Sequence, residues 1–156
     1  MEWISQCLWV FLLSMTPVLE LRAAIPLGAG LGLPLWLNYT VCVLGNFLPV
    51  PFILLFIRRI LAWMKTTKHL SRLALWLEEK AQRGGEKVMR YASVGLVLFV
   101  AVPLPGTGAW TGALVAALLD MRMKYALPAI FAGVAIAGCI MSLASYGVVN
   151  LFRVFL

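Results

Sequence analysis

The sequence predicts an all-α membrane protein built as two inverted repeats. Each repeat is a re-entrant helical hairpin followed by one transmembrane helix, and a cytoplasmic amphipathic helix lies between them. Three observations lead there. Hydrophobic residues make up 63% of the 156 and charged residues only 12%, whereas a soluble domain carries about a quarter charged residues. Clustered proline and glycine interrupt two long apolar stretches. Nine of the thirteen Lys and Arg residues fall between Arg58 and Arg90. Basic residues gathered between apolar spans mark the cytoplasmic side of a membrane protein. They also account for the formal charge of +7 without a nucleic-acid partner. A chain of this length forms one integral membrane domain over 1–156, with repeats at 1–57 and 91–156 and the linker helix at 58–90.

Taken in order, Trp3 to Ser14 is apolar and helical in character. At 1.5 Å per residue it spans about 18 Å, short of a hydrocarbon core of about 30 Å. Glu2 stands where a secretory leader carries basic residues, so the first segment is expected to stay in the mature protein. Thr16-Pro17 predicts a fresh helix start, with a hydroxyl at the cap and proline in the first turn. This outgoing arm is expected to break through Pro26 and Gly28 and to close at Gly32 and Pro34. Leu35 to Ile57 is long enough to cross, kinked at Pro49-Val50-Pro51. Over 58–90, apolar positions recur at helical spacing among basic residues, and Trp63 and Trp76 suit the headgroup layer. His69 reads as a solvated side chain of that surface.

The second half repeats the plan. The apolar run Tyr91 to Leu119 contains Pro103, Pro105, Gly106, Gly108 and Gly112, too many breakers for one continuous helix. In hydrocarbon such a break is tolerated only where protein or a water-filled cavity covers it. A charged turn at 120–124 precedes a final span, Tyr125 to Phe152. Its small residues Gly133, Ala137 and Gly138 suit close helix packing, either within the chain or as the contact of a homodimer or larger homo-oligomer. Setting Pro17 against Pro103 places Glu20 opposite Gly106. Four full crossings are the rival topology, but they put Arg122 and Lys124 outside, whereas the hairpin plan keeps both with the basic linker.

Glu20 and Arg22 are the candidate substrate and proton residues, because an ionisable side chain at membrane depth costs at least a few kcal/mol and needs a reason. Two positions apart on a helix they point to different faces, so each needs a partner elsewhere. The second break, Pro105, Gly106, Thr107 and Gly108, with Trp110 and Thr111 beyond it, is the obvious source. Half-helix N-termini present amides and a partial positive charge to such groups. A carboxyl desolvated in a membrane can exchange a proton near neutral pH, and an arginine can hold a phosphate or carboxylate. The competing explanation is a structural ion-pair network tying the broken helices together. Asn46, Ser142, Ser145, Tyr146 and Asn150 are further polar candidates for the same cavity. Cys7, Cys42 and Cys139 read as small buried hydrophobes without metal spacing. No enzymatic constellation, metal cluster or cofactor motif is present in the sequence.

Two segments carry a resemblance. Residues 17–28, Pro-Val-Leu-Glu-Leu-Arg-Ala-Ala-Ile-Pro-Leu-Gly, and 102–112, Val-Pro-Leu-Pro-Gly-Thr-Gly-Ala-Trp-Thr-Gly, resemble the signature segments of the small multi-drug export protein family. The resemblance covers nearly the whole chain. A distant similarity to the DedA membrane proteins departs at Gly108, where those proteins carry an arginine after Pro-Gly. The first resemblance implies a cell-membrane transporter, the second a carrier of lipid phosphates. Two functions therefore stand side by side: a proton-coupled exporter of amphiphilic cations using Glu20, and a lipid-phosphate translocase using Arg22. A membrane scaffold without transport is the third. Membrane lipids, protons and an amphiphilic substrate are the partners these readings require.

Overall fold

A computed structural model describes residues 2–65, 85–104 and 106–155. All regular structure among them is helical: α1 (Glu2–Ser14), α2 (Glu20–Gly30), α3 (Leu35–Phe47), α4 (Val50–Lys65), α5 (Gly85–Ala101), α6 (Ala109–Leu118) and α7 (Met123–Phe155). Two stretches are long and apolar enough to cross a bilayer, Leu35–Ile60 through α3 and α4, and Met123–Leu151 in α7. The helices α1, α2 and α6, of 13, 11 and 10 residues, are each too short to cross alone.

The two long stretches run antiparallel. Near one end the Tyr146 hydroxyl donates to the Leu33 carbonyl at 2.6 Å. Midway, Phe47 meets Phe131 edge to face at 5.1 Å between centroids. Near the other end the Arg58 guanidinium donates to the Met121 carbonyl. The core around them packs small side chains among larger ones such as Leu21, Ile25, Leu54 and Ile130. Ala24, Ala29, Ala109, Ala113, Ala116, Ala117, Ala126, Ala129 and Ala137 are all buried, which lets backbones approach without a hydrophobic drive from water. The surface is apolar in turn: Trp36 is 79% exposed and Leu143 74%. Aliphatic and aromatic residues line the outside of nearly every helix, as a lipid-facing protein requires.

Glycines set the closest approaches. A Cβ built on Gly45 of α3 would strike the Ser14 side chain and Phe11 carbonyl of α1. One built on Gly133 of α7 would lie 2.7 Å from Val100 Cβ and 2.9 Å from the Val97 carbonyl of α5. Gly138 faces Tyr39 and Val43 of α3. Gly133 and Gly138 thus pack inside the chain, the first of the two roles the sequence allows them.

Several sequence expectations are corrected. The outgoing arm α2 starts at Glu20, not at Pro17, because the Thr16 hydroxyl donates back to the Leu13 carbonyl at 2.7 Å and closes α1 instead of opening α2. Pro26 and Gly28 lie within α2, not at a break. The reason is the buried face Leu21, Ala24, Ile25, Gly28 and Ala29, spaced at helical intervals, while Pro26 turns its ring outward. Gly28 is where Asn38 packs against that face. Gly112 likewise lies inside α6, against Val100. Pro17 and Pro103 do fall in the non-helical connections. Of the expected linker helix, residues 58–65 continue α4 and 85–90 open α5; 66–84, with His69 and Trp76, lie outside the described residues. Cys139 is exposed where burial was expected, whereas Cys42 is buried.

The outgoing arms end alike. In α2, Gly32 N–H donates to Ala29 O and Leu33 N–H to Gly28 O, with Gly32 at φ +80°. In α6, Asp120 N–H donates to Ala117 O and Met121 N–H to Ala116 O, with Asp120 at φ +49°. Both are left-handed helix stops, and they stand 88 positions apart in the chain.

Candidate functional site

The site forms where the two connections meet. Residues 15–19 link α1 to α2, and residues 102–108 link α5 to α6. Among them Pro105 lies outside the described residues. Gly106 is at φ +87° with open space around it, so it serves the turn and is not pressed against another helix. Gly108 has ordinary extended torsions, φ −145° and ψ −166°. Its need for glycine is steric, since a Cβ there would fall on the Glu20 carboxylate.

Glu20 opens α2 with φ +51°, left-handed backbone that costs a non-glycine residue about 1–2 kcal/mol. That torsion aims its carboxylate at the start of α6, where the Trp110 N–H donates to Oε1 at 3.4 Å. Ala109 and the Asn46 side chain lie beside the same carboxylate. The helix N-terminus adds its partial positive charge. Glu20 is only 5% exposed and Asn46 only 1%. Leu21, Val100, Val134 and Ala137 pack around them. The Asn46 Oδ1 atom is buried without a hydrogen-bond partner, an arrangement that costs about 1–3 kcal/mol unless a donor arrives.

Arg22 turns the other way, to the end of α5. Its guanidinium donates to the Leu104 carbonyl, to Val102 O at 3.2 Å and to Thr107 Oγ1 at 2.9 Å. Thr107 in turn donates to Val102 O at 2.7 Å. Carbonyls left free past a helix end attract a cation, so Arg22 closes α5 as Glu20 receives α6. Trp110 answers from the second half. Its indole N–H donates to Met15 O at 3.1 Å, at the end of α1. Thr111 works locally, accepting the Gly108 N–H at 2.7 Å. The sequence-derived residues Glu20, Arg22, Thr107, Gly108, Trp110 and Thr111 are therefore neighbours.

The further polar candidates divide. Asn46 joins the site. Tyr146 belongs to the Leu33 end, where its hydroxyl also accepts from Asn38 Nδ2 at 3.2 Å. Ser142 is buried with its Oγ unpaired, and Asn150 is exposed. Sequence reading missed Asn38, which is fully buried and donates to Ile25 O at 2.9 Å. The signal was available, since an amide at membrane depth in a span is as unusual there as Asn46. Glu20 packs against Gly108, and the second connection is two residues longer than the first.

The family model described as "Putative small multi-drug export protein" matches residues 20–140, which includes both connections' key residues. No curated protein and no solved structure matches the chain.

Proposed function

Because the chain belongs to the small multi-drug export protein family, we propose that it is a proton-coupled membrane transporter of an amphiphilic substrate, working around Glu20. The observation that carries this reading is the buried Glu20 carboxylate on the α6 amides, beside an Asn46 oxygen that lacks a donor. A protonated Glu20 supplies that donor, and a deprotonated one takes the amides more strongly, so each state has its own partner. Proton exchange then changes how firmly the two connections hold one another.

The architecture behind this function is a pair of inverted repeats, each a re-entrant hairpin and one crossing helix. Its support is a set of contacts that recur at one chain separation. Arg22 and Trp110 are 88 positions apart, and each caps the incoming helix of the other half. Arg58 and Tyr146 are 88 apart, and each binds a carbonyl, Met121 or Leu33, that is again 88 from its counterpart. Exchange of partners between halves is what a two-fold relation produces, and antiparallel spans fit an axis in the membrane plane. The basic residues at 58–90 and at 122 and 124 favour a cytoplasmic linker and α6–α7 turn. Arg22 is engaged by two carbonyls and a hydroxyl. That leaves Glu20 as the charge free to change, which favours a cationic substrate over a lipid phosphate.

The test uses purified protein in vesicles with an imposed pH gradient and a lipophilic cation as probe. Glu20→Gln is expected to abolish gradient-driven uptake. Uptake equal to the parent at every pH would leave Glu20 as a structural tie and remove the coupling.

A further inference from the structure

The two outgoing arms end in the same left-handed stop, and in both the next carbonyl is taken by a side chain from the opposite half. At the α2 end, Leu33 O accepts from Tyr146 of α7. At the α6 end, Met121 O accepts from Arg58 of α4. The antiparallel spans put these contacts at opposite ends of the molecule, with the Glu20 site between them. We propose that they are two latches, released one at a time, that decide which side of the membrane the Glu20 site faces.

Each latch is a side-chain tie on the far end of an arm whose near end carries half of the site. α2 begins with Glu20 and ends beside Leu33; α6 begins with the amides that bind Glu20 and ends beside Met121. Freeing one carbonyl lets that arm tilt about its own connection, while the other arm stays tied. A tilt therefore opens a path from one end only.

The latches differ in completeness. The Tyr146 hydroxyl both donates to Leu33 O and accepts from Asn38, and Asn38 is itself tied to Ile25 O and in contact with Cys42 Sγ at 3.4 Å. That end is a closed network. Arg58 holds Met121 O, but its Nε is buried without an acceptor. A buried donor left unpaired lowers the cost of moving the group to water. The Arg58 end is accordingly the one that opens more readily. Tyr39, which donates to Ala135 O at 3.2 Å, ties α3 to α7 between the two latches and keeps the spans together while an arm moves.

The inference rests on the transport reading for its purpose, but its test reads conformation alone. In a background lacking Cys7, Cys42 and Cys139, spin labels are attached through Gly30→Cys with Gly147→Cys, and separately through Ile60→Cys with Leu119→Cys. Gly30 and Gly147 have open space around them, and Ile60 and Leu119 are part-exposed. Distances are measured in reconstituted vesicles. Tyr146→Phe is expected to add a longer population to the 30–147 pair and leave 60–119 as in the parent. Arg58→Met should do the reverse with a larger longer population, and Arg58→Lys should keep the parent distances. The latches are refuted if each substitution lengthens both pairs together, or if neither pair moves. Should Arg58→Met not fold, Tyr146→Phe removes a single hydroxyl and decides alone: an unchanged 30–147 distance overturns the proposal. Loss of cation transport with the expected distances would instead remove the transport reading and leave the latches standing.

Discussion

Replacing Gly108 by alanine adds one carbon where the Glu20 carboxylate now sits. Gly108 has extended torsions open to any residue, so backbone strain contributes nothing and the whole effect is contact. Forcing a methyl into a filled site costs about 1–3 kcal/mol. Pushing Glu20 off the Trp110 amide adds the loss of a hydrogen bond to a charged group, about 1.5–3 kcal/mol. Together these place Gly108→Ala roughly 2.5–6 kcal/mol below the parent. Gly106→Ala differs in kind: it has open space but a φ of +87°, so its cost is about 1–2 kcal/mol of left-handed strain. The two are separated by adding Glu20→Ala. Shortening Glu20 clears the space at Gly108, so the double variant should recover about 2 kcal/mol relative to additivity, whereas Gly106→Ala gains nothing. Unfolding in mixed micelles, followed by tryptophan fluorescence, measures the parent, the three single variants and the two double variants. Strict additivity of Gly108→Ala with Glu20→Ala would refute the contact.

Asp120 occupies the left-handed stop that Gly32 fills in the first half. Asp120→Gly should raise stability by about 0.5–1 kcal/mol, seen as a thermal midpoint a few degrees higher; a lower midpoint would mean that the aspartate side chain holds the turn. Gly45→Ala and Gly133→Ala should each cost about 1–3 kcal/mol through contact with α1 and α5. The matched controls Gly95→Ala and Gly147→Ala, with open space around them, should gain about 0.5–1 kcal/mol of helix propensity in the same unfolding assay.

The two interruptions, the crossing stretches and the meeting of Glu20 and Arg22 with the second connection were legible because each follows from a local cost. Proline and glycine cannot continue a helix cheaply, and a charge at membrane depth cannot go unpartnered. The same rule misled at Pro26, Gly28 and Gly112, where a buried face carries the helix past a local penalty. Setting Pro17 against Pro103 gives a separation of 86 residues, whereas the two left-handed stops and the Glu20–Gly108 contact recur at 88. The roles of Arg58 and Tyr146 were illegible for a different reason. Each acts on a carbonyl of the opposite half, and backbone acceptors leave no mark in a sequence.

Glu20 and Gly108, also 88 positions apart, meet face to face. A half-length polypeptide pairing with itself would set the same residue at both places, acid against acid or glycine against glycine. Different residues at 20 and 108 avoid both, and one carboxylate lies against a bare backbone. A single ionisable group thus sits where the two connections meet, beside a neighbour with no side chain to displace it.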